Sequence, residues 1–431
     1  MDNTDQPVRP APIATPERTV LLDVIRGFAL GGVFLSNAYI WMSGMIMLPR
    51  DTVQAAMSAT LPKVIDAIYV ILVGGKFMTI FTFLFGLGLS VQFSRAEQRQ
   101  DSAVKRYIRR CLTMILFGAL HLSLLWYGDI THVYALIGLF VLLFRNRSTK
   151  TLVIWGLLIS LLGVPIGMWL QFLLPQLINS PEVAQAAMAA EMAKEEEFNR
   201  QALAIFQGHS YLAIIRTNVS MYWQHFFSPI YMAYNVATLG NFLLGLAVGR
   251  LHWFQDVAAH RQAFKRLLGW SALTSVLSFV IVAVARHFAG APNPMKVNIP
   301  MSIFMPILRH VSTLSLALVY ISAITLLYQR DFFRRILSIY APAGRMAVSN
   351  YFGQSAIGLF FFCGIGLGFM GDLRLRWIVV MPMVMFGGQL IFSWIWMRHF
   401  RFGPVEWLTR SIIYGKLQPM RIVKSPAEAP E

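Results

Sequence analysis

Cysteine is almost missing from this chain. Cys111 and Cys363 are the two in 431 residues, too few for a disulfide framework. Both sit in apolar runs and read as small buried hydrophobes. Charge is scarce as well. Asp, Glu, Lys and Arg make up 13% of the residues, against roughly 25% in a water-soluble domain, which excludes a cytosolic globular enzyme. A hydrophobic content of 56% excludes a disordered chain too. Acidic residues are the rarer charges, 20 against 37 Lys and Arg, leaving a net +17. In a soluble protein that balance would suggest nucleic acid. Here the basic residues fall between long apolar runs, so no nucleic acid is expected and the charge reads as loop charge at a lipid bilayer. Glycine-rich phosphate loops, nucleophile-elbow patterns and His/Cys/carboxylate sets at metal-ligand spacing are absent from the sequence, so no metal is expected.

What the chain has in abundance is apolar runs of the length that crosses a bilayer, about 20 residues each. Ten are legible: 21–45, 64–93, 107–127, 129–145, 151–175, 230–251, 267–288, 301–328, 346–371 and 376–397. The expected fold is all-α, a polytopic integral membrane protein with about ten transmembrane helices. The N-terminal 1–20 is a polar, proline-containing tail without a cleavage site after a compact apolar core, so the first span is an uncleaved anchor. With that tail inside, 25 Lys and Arg fall on the cytoplasmic side, 8 on the outer side and 4 within spans. The positive-inside rule then puts both termini in the cytoplasm. The division is a tail (1–20), five spans (21–175), an outer-face helix with an interfacial segment (176–229), five spans (230–400) and a C-terminal tail (401–431). Ser180-Pro181-Glu182 starts the outer helix, with a capping hydroxyl, proline at the first position and an acid at the positive dipole end. A second span within 209–252 would turn three basic segments outward, so 209–228 reads as interfacial.

A charged side chain near the bilayer centre costs on the order of 3 kcal/mol, so each polar residue inside a span needs a partner, water or a task. Asp23 and Arg26 share a helix face; they form an ion pair, or Arg26 holds an anion. Lys76 follows two glycines midway along the second run, where it balances Asp129 or binds an anion. Asn37, Gln389 and the pair Arg309-His310, which follows Pro306 so that a kink could aim it at the bundle interior, are further polar residues in the spans. Asn350 and Gln354, four apart on one face, suit hydrogen bonding between helices or substrate binding. His121 lies in the outer half of the third run, and Trp126-Tyr127-Gly128-Asp129 reverses the chain to return a carboxylate toward it. His132 follows one turn later. A histidine oriented by a carboxylate is the minimum equipment for general-base catalysis at neutral pH, and equally for a proton relay.

Four stretches together resemble a known family. They are Leu22-Asp23-x-x-Arg26-Gly27-Phe28-Ala29-Leu30, Lys76-Phe77-x-x-Ile80-Phe81-x-Phe83-Leu84-Phe85-Gly86, and His121-x-x-x-x-Trp126-x-Gly128-Asp129-Ile130. The fourth is Gly344-Arg345-Met346-Ala347-x-Ser349-Asn350-Tyr351-x-x-Gln354, followed by the tail Phe402-Gly403-Pro404-Val405-Glu406-Trp407. This is similar to the YeiB-like family of bacterial inner-membrane proteins (domain of unknown function 418), and the likeness spans nearly the whole chain after residue 18. The sequence departs from the pattern at Thr131, where the family usually has leucine. The resemblance implies a bacterial inner-membrane location and a distant likeness to membrane acyltransferases, whose first span carries an Arg-Gly pair like Arg26-Gly27. One branch of those enzymes places its histidine in the first outer loop; residues 46–63 contain none, so that role is not carried over.

The functional expectation is acyl transfer. Arg26, Lys76 and Arg309 would hold an anionic donor such as acyl-coenzyme A, and His121, oriented by Asp129, would deprotonate a lipid or glycan acceptor near the outer face. Asn37, His132, Asn350 and Gln354 would complete the binding site. A small-molecule or lipid transporter using the same residues is the rival, and a membrane scaffold without turnover is the third reading.

Overall fold

The computed structural model describes residues 20–98, 103–289 and 299–422. The predicted N-terminal tail, Arg99, Lys296 and Lys424 lie outside the described residues. Helix dominates, with no strand among the described residues beyond a single bridge between Phe400 and Arg421. The longer helices are α1 (Val20–Asn37), α2 (Thr60–Ile68), α3 (Lys76–Gln98), α4 (Ala103–Leu124), α5 (Thr131–Val141), α6 (Thr149–Met168) and α7 (Pro181–Gln207). They continue with α8 (Tyr211–Phe226), α9 (Pro229–Arg250), α10 (Arg261–Ala289), α11 (Ile299–Tyr328), α12 (Ala347–Phe362), α13 (Met381–His399) and α14 (Pro404–Tyr414).

Among the described residues, eight helical stretches are long and apolar enough to cross a membrane. They coincide with eight of the ten runs read from the sequence. The other two runs make shorter helices. One covers Thr131–Phe144. The other, α12, stops at Phe362 because Cys363 turns to extended backbone, and Gly368 and Gly371 then hold left-handed conformations that favour glycine. Large apolar side chains face outward along the bundle, among them Trp270, Val276 and Val280 on α10 and Val384 and Ile391 on α13. In water such a surface would aggregate; it matches the hydrocarbon of a bilayer.

Close packing comes from small residues, as in other membrane bundles. Gly163 of α6 lies against Ala233 and Ala237 of α9, and Gly86 and Gly245 join α3 to α9. One buried cluster gathers α1 with Phe77, Ile80 and Leu84 of α3, and a second surrounds Phe242, Leu243 and Leu246 of α9. The second run is not one helix. A π-type turn at Tyr69–Val73 leads to Gly74 and Gly75, and Gly75 has φ +79°. This break sits beside the last third of α1, since Tyr69 bonds Ser36 and Phe77 packs on Gly32.

The basic segments collect at one end of the bundle. Arg109 donates to the carbonyl of Ile413, Arg250 to the carbonyls of Arg145 and Arg147, and the Tyr107 hydroxyl to Gly138. At the same end Gly344 packs on Asp23 and Gly27. At the opposite end, where α1 finishes, the backbone is stitched together. Gly364 N–H donates to Phe206, Gly371 N–H to Ser43, and the Gln207 amide to Met370. The helix expected from Ser180 is α7, whose first turn is capped by the Ser180 hydroxyl. The segment expected to lie at the interface is α8, which buries Ile214, Thr217, Asn218 and Met221 and exposes Trp223.

Candidate functional site

The end of α4 and the start of α5 form the most developed polar site. After Leu124 the chain reverses, with the Leu125 and Trp126 N–H groups both donating to the carbonyl of His121. Asp129 then supplies the acceptor for the next helix: His132 N–H donates to its Oδ2 at 2.9 Å and the Thr131 hydroxyl to Oδ1 at 2.8 Å. Backbone capping of this kind is sufficient reason for an aspartate before a helix. The two imidazoles go beyond it. His132 Nδ1 lies 2.6 Å from Oδ2, and His121 Nδ1 lies 2.9 Å from Oδ1, facing the carboxylate without the alignment of a full hydrogen bond. His121, Asp129 and His132 are 1%, 2% and 5% exposed. Gly118 makes the approach possible, because a Cβ there would stand 2.7 Å from both Asp129 Oδ2 and His132 Cβ.

With each Nδ1 turned to the carboxylate, Nε2 is the ring atom left for another partner. The two rings then differ. His132 Nε2 is 3.1 Å from the Tyr222 hydroxyl on α8. His121 Nε2 is buried and has no hydrogen-bond partner. It lies under Tyr351 and Phe352 of α12, with ring centroids 5.0 and 4.5 Å away. Tyr351 is placed by the same loop, its hydroxyl 3.4 Å from both the Gly128 carbonyl and the Ile130 N–H. Of the two rings, His121 is therefore the one whose Nε2 has no partner, covered by Tyr351 and Phe352. The donor atoms of the three residues turn on one another, and no group of three or more His, Cys, Asp or Glu among the described residues could hold a metal ion.

The other residues singled out in the sequence lie elsewhere. Arg26 pairs with Asp23 at 2.7 Å near the basic end. Lys76 is 4% exposed and gives its ammonium to the Val70 carbonyl at 2.5 Å, inside the broken helix, 5.9 Å from the Phe279 ring. The Tyr320 hydroxyl takes the neighbouring Leu72 carbonyl. These side chains satisfy carbonyls that the break frees, a need that arises wherever a helix is interrupted in lipid. Arg309 is exposed on α11, while its neighbour His310 turns inward, Nε2 2.6 Å from Ser160 Oγ, which also meets Asn241. Asn37 is buried at the last turn of α1. Asn350 donates to Ser393, and Gln354 to Gln389, which donates back to the Asn350 carbonyl; together they join α12 to α13. The structure thus brings His121, Asp129 and His132 together and keeps Arg26, Lys76 and Arg309 apart, each with its own contacts. His310 was read from the sequence as a polar residue turned inward after Pro306, but Ser160 and its partner Asn241, Tyr222, and the contacts of Tyr351 with the His121 site were not. Their partners are 90 or more residues away, apart from the Ser160–Asn241 pair at 81, so no local pattern announces them.

An all-helical bundle with an apolar outer surface, span-length helices and a buried carboxylate–imidazole pair defines a polytopic membrane protein. The description "Protein of unknown function (DUF418)" matches residues 248–416. The chain is 28% identical to the uncharacterized protein YxaH of Bacillus subtilis, over 95% of this chain and 97% of that one. It is also 28% identical to the uncharacterized protein YeiB of Escherichia coli, over 92% and 96%. Over its C-terminal part the chain is thus similar to the DUF418 family, and over nearly its whole length to YxaH and YeiB. No solved structure matches it.

Proposed function

We propose that this is a bacterial inner-membrane protein of about ten spans, both termini cytoplasmic, that transfers an acyl group to an acceptor near the outer face. The observation that carries the reading is the uncommitted His121 Nε2, buried and backed at Nδ1 by Asp129. Charge supports the orientation, since the basic loops meet at one end. The site lies at the other. In the proposed step His121 Nε2 takes the proton of an acceptor hydroxyl as its oxygen attacks the thioester carbonyl of an acyl-coenzyme A. The carbon–sulfur bond then breaks, and the thiolate leaves with the proton returned by the imidazolium. Asp129 holds the tautomer and stabilises the imidazolium between these events. Donor entry is from the cytoplasmic end, where Arg26 lies.

The test uses inverted membrane vesicles supplied with radiolabelled acetyl-coenzyme A, reading label in the lipid and glycan fractions. His121→Ala and Asp129→Asn should each cut transfer at least 100-fold while the purified variants still unfold in a cooperative thermal transition, Asp129→Asn at a lower temperature. Full transfer by His121→Ala overturns the assignment. Transport is the second reading, favoured by the helix break at Gly74–Gly75 with Lys76 beside it, since interrupted helices build substrate sites in transporters. Lys76→Met would abolish vesicle uptake on that reading and leave acyl transfer in place on the first.

A further inference from the structure

Beside His121 lies a recess that the proposed chemistry does not use. It measures about 20 Å³ and is lined by residues including Trp41, Trp126, Tyr127, Phe206 and Asn218. Three polar atoms of these side chains, Trp126 Nε1, Tyr127 Oη and Asn218 Oδ1, are buried and have no hydrogen-bond partner. Buried polar atoms are ordinarily satisfied, and three on one recess ask for a common partner. Asn218 is oriented by its own amide: Nδ2 donates to the Ser123 carbonyl at 3.2 Å, which leaves Oδ1 as the acceptor. The set is thus one donor (indole N–H), one acceptor (amide oxygen) and one group that is either (phenol). Its complement both gives and receives a hydrogen bond.

That complement is a neutral hydroxyl. No charged residue lines the recess, so a phosphate, carboxylate or ammonium would enter it without a counter-ion, at high cost. The volume holds one such group and no more. The rest of the ligand must lie at the mouth, where Trp41 is the exposed ring, with Tyr127, Trp126 and Phe206 buried behind it. Trp41 is 36% exposed and its ring is 6.2 Å from that of Tyr127, which in turn is 6.0 Å from Trp126 and 6.1 Å from Phe206. Aromatic faces beside neutral hydrogen-bonding groups suit the C–H faces and hydroxyls of a sugar ring. We infer that this recess receives the hydroxymethyl group of a neutral hexose whose ring stacks at Trp41. The binding stands by itself; that the hexose is the acyl acceptor rests on the reading of His121 above.

The experiment uses the full chain in phosphatidylcholine nanodiscs, free of sugar-based detergent, and follows binding by saturation-transfer NMR. Methyl β-glucoside should bind, and methyl β-xyloside, which lacks the hydroxymethyl group, should bind at least tenfold more weakly. Trp126→Phe should remove most of that preference, and Tyr127→Phe, a change of one oxygen that leaves the ring packing intact, should reduce it about threefold. Equal affinity for the two glycosides, binding of neither, or displacement of the glucoside by equimolar glycerol overturns the inference. Binding of neither leaves the recess as a water site, and displacement by glycerol makes it a site for a lipid glycerol headgroup. A glycolipid in the disc that competes with methyl glucoside identifies the sugar as membrane-borne and supports the inference. His121→Ala should keep glucoside binding and lose acyl transfer, so failure of the sugar site and failure of the catalytic reading give different results.

Discussion

Removing the carboxylate of Asp129 would leave two buried imidazoles without the acceptor that orients them. Breaking a buried charged group's contacts costs about 3–5 kcal/mol, so Asp129→Ala should lower stability by about 3 kcal/mol in thermal or chemical unfolding. An effect no larger than that of an exposed alanine substitution would show that the pair has little energetic weight. Gly118 gives a finer test. Its Cβ position is 2.7 Å from Asp129 Oδ2, and overpacking of this kind costs about 1–3 kcal/mol. Gly118→Ala should therefore destabilise by that amount and reduce acyl transfer although residue 118 touches no substrate. Unchanged stability and transfer would dismiss the close approach. At this scale the sequence was most readable where residues lie within one reversal of the chain, as His121, Asp129 and His132 do. It was silent on which imidazole is committed, because Tyr222 comes from another helix. For Lys76 the partner is the Val70 carbonyl, created by a π-type turn that no charge pattern encodes.

Glu406 shows how one element positions another. Its Oε1 accepts from the N–H groups of Val348 at 2.7 Å and Ser349 at 3.2 Å, and Oε2 accepts from the Ser349 hydroxyl. A carboxylate from α14 thereby caps the N-terminus of α12, where anions are favoured. Burial nonetheless pushes the Glu406 carboxyl above its ordinary range. A carboxyl raised on folding favours the folded state fully below the ordinary glutamate value, roughly 4.3, and loses that contribution as pH rises through the raised value. The difference in unfolding temperature between the native chain and Glu406→Gln should therefore shift in favour of the native chain as pH falls from neutral toward 5. A difference constant with pH would contradict this. The two stretches that carry the C-terminal part of the family likeness meet at this cap, so their likeness is explained by helix docking. Gly75 is the other element-scale device: at φ +79° an alanine is strained by about 1 kcal/mol or more. Gly75→Ala should destabilise by that much, measured by unfolding, and an unchanged transition would deny the break its conformational demand.

For the whole molecule, hydropathy located eight span-length helices and left two runs short. The reason for the second is physical: the apolar run 346–371 contains the glycine-rich turn after Phe362, whose backbone bonds to Ser43, beyond α1, and to Phe206 of α7. Which face of each helix turns inward was not legible, because helices apolar all round carry no stripe; Arg309 falls on the exposed side for this reason. Orientation is testable directly, since the native thiols Cys111 and Cys363 are buried. In intact cells a membrane-impermeant maleimide should label Gln54→Cys, and should label Asn146→Cys only after permeabilisation. The reverse pattern would invert the proposed topology.

The lipid-facing helix α10 has a consequence for biogenesis. Its tertiary packing is chiefly against α11, and the rest of its length presents Trp270, Leu273, Val276 and Val280 to the surroundings. A segment with a single close neighbour finds no docking surface until that neighbour is made. Helices α10 and α11 are thus expected to leave the insertion machinery as a pair, after α9 has already joined α3 and α6. A chain truncated between them would carry His121, Asp129 and His132 without the Tyr351 and Phe352 rings of α12 that cover them, beside an α10 tethered only by its own hydrophobicity.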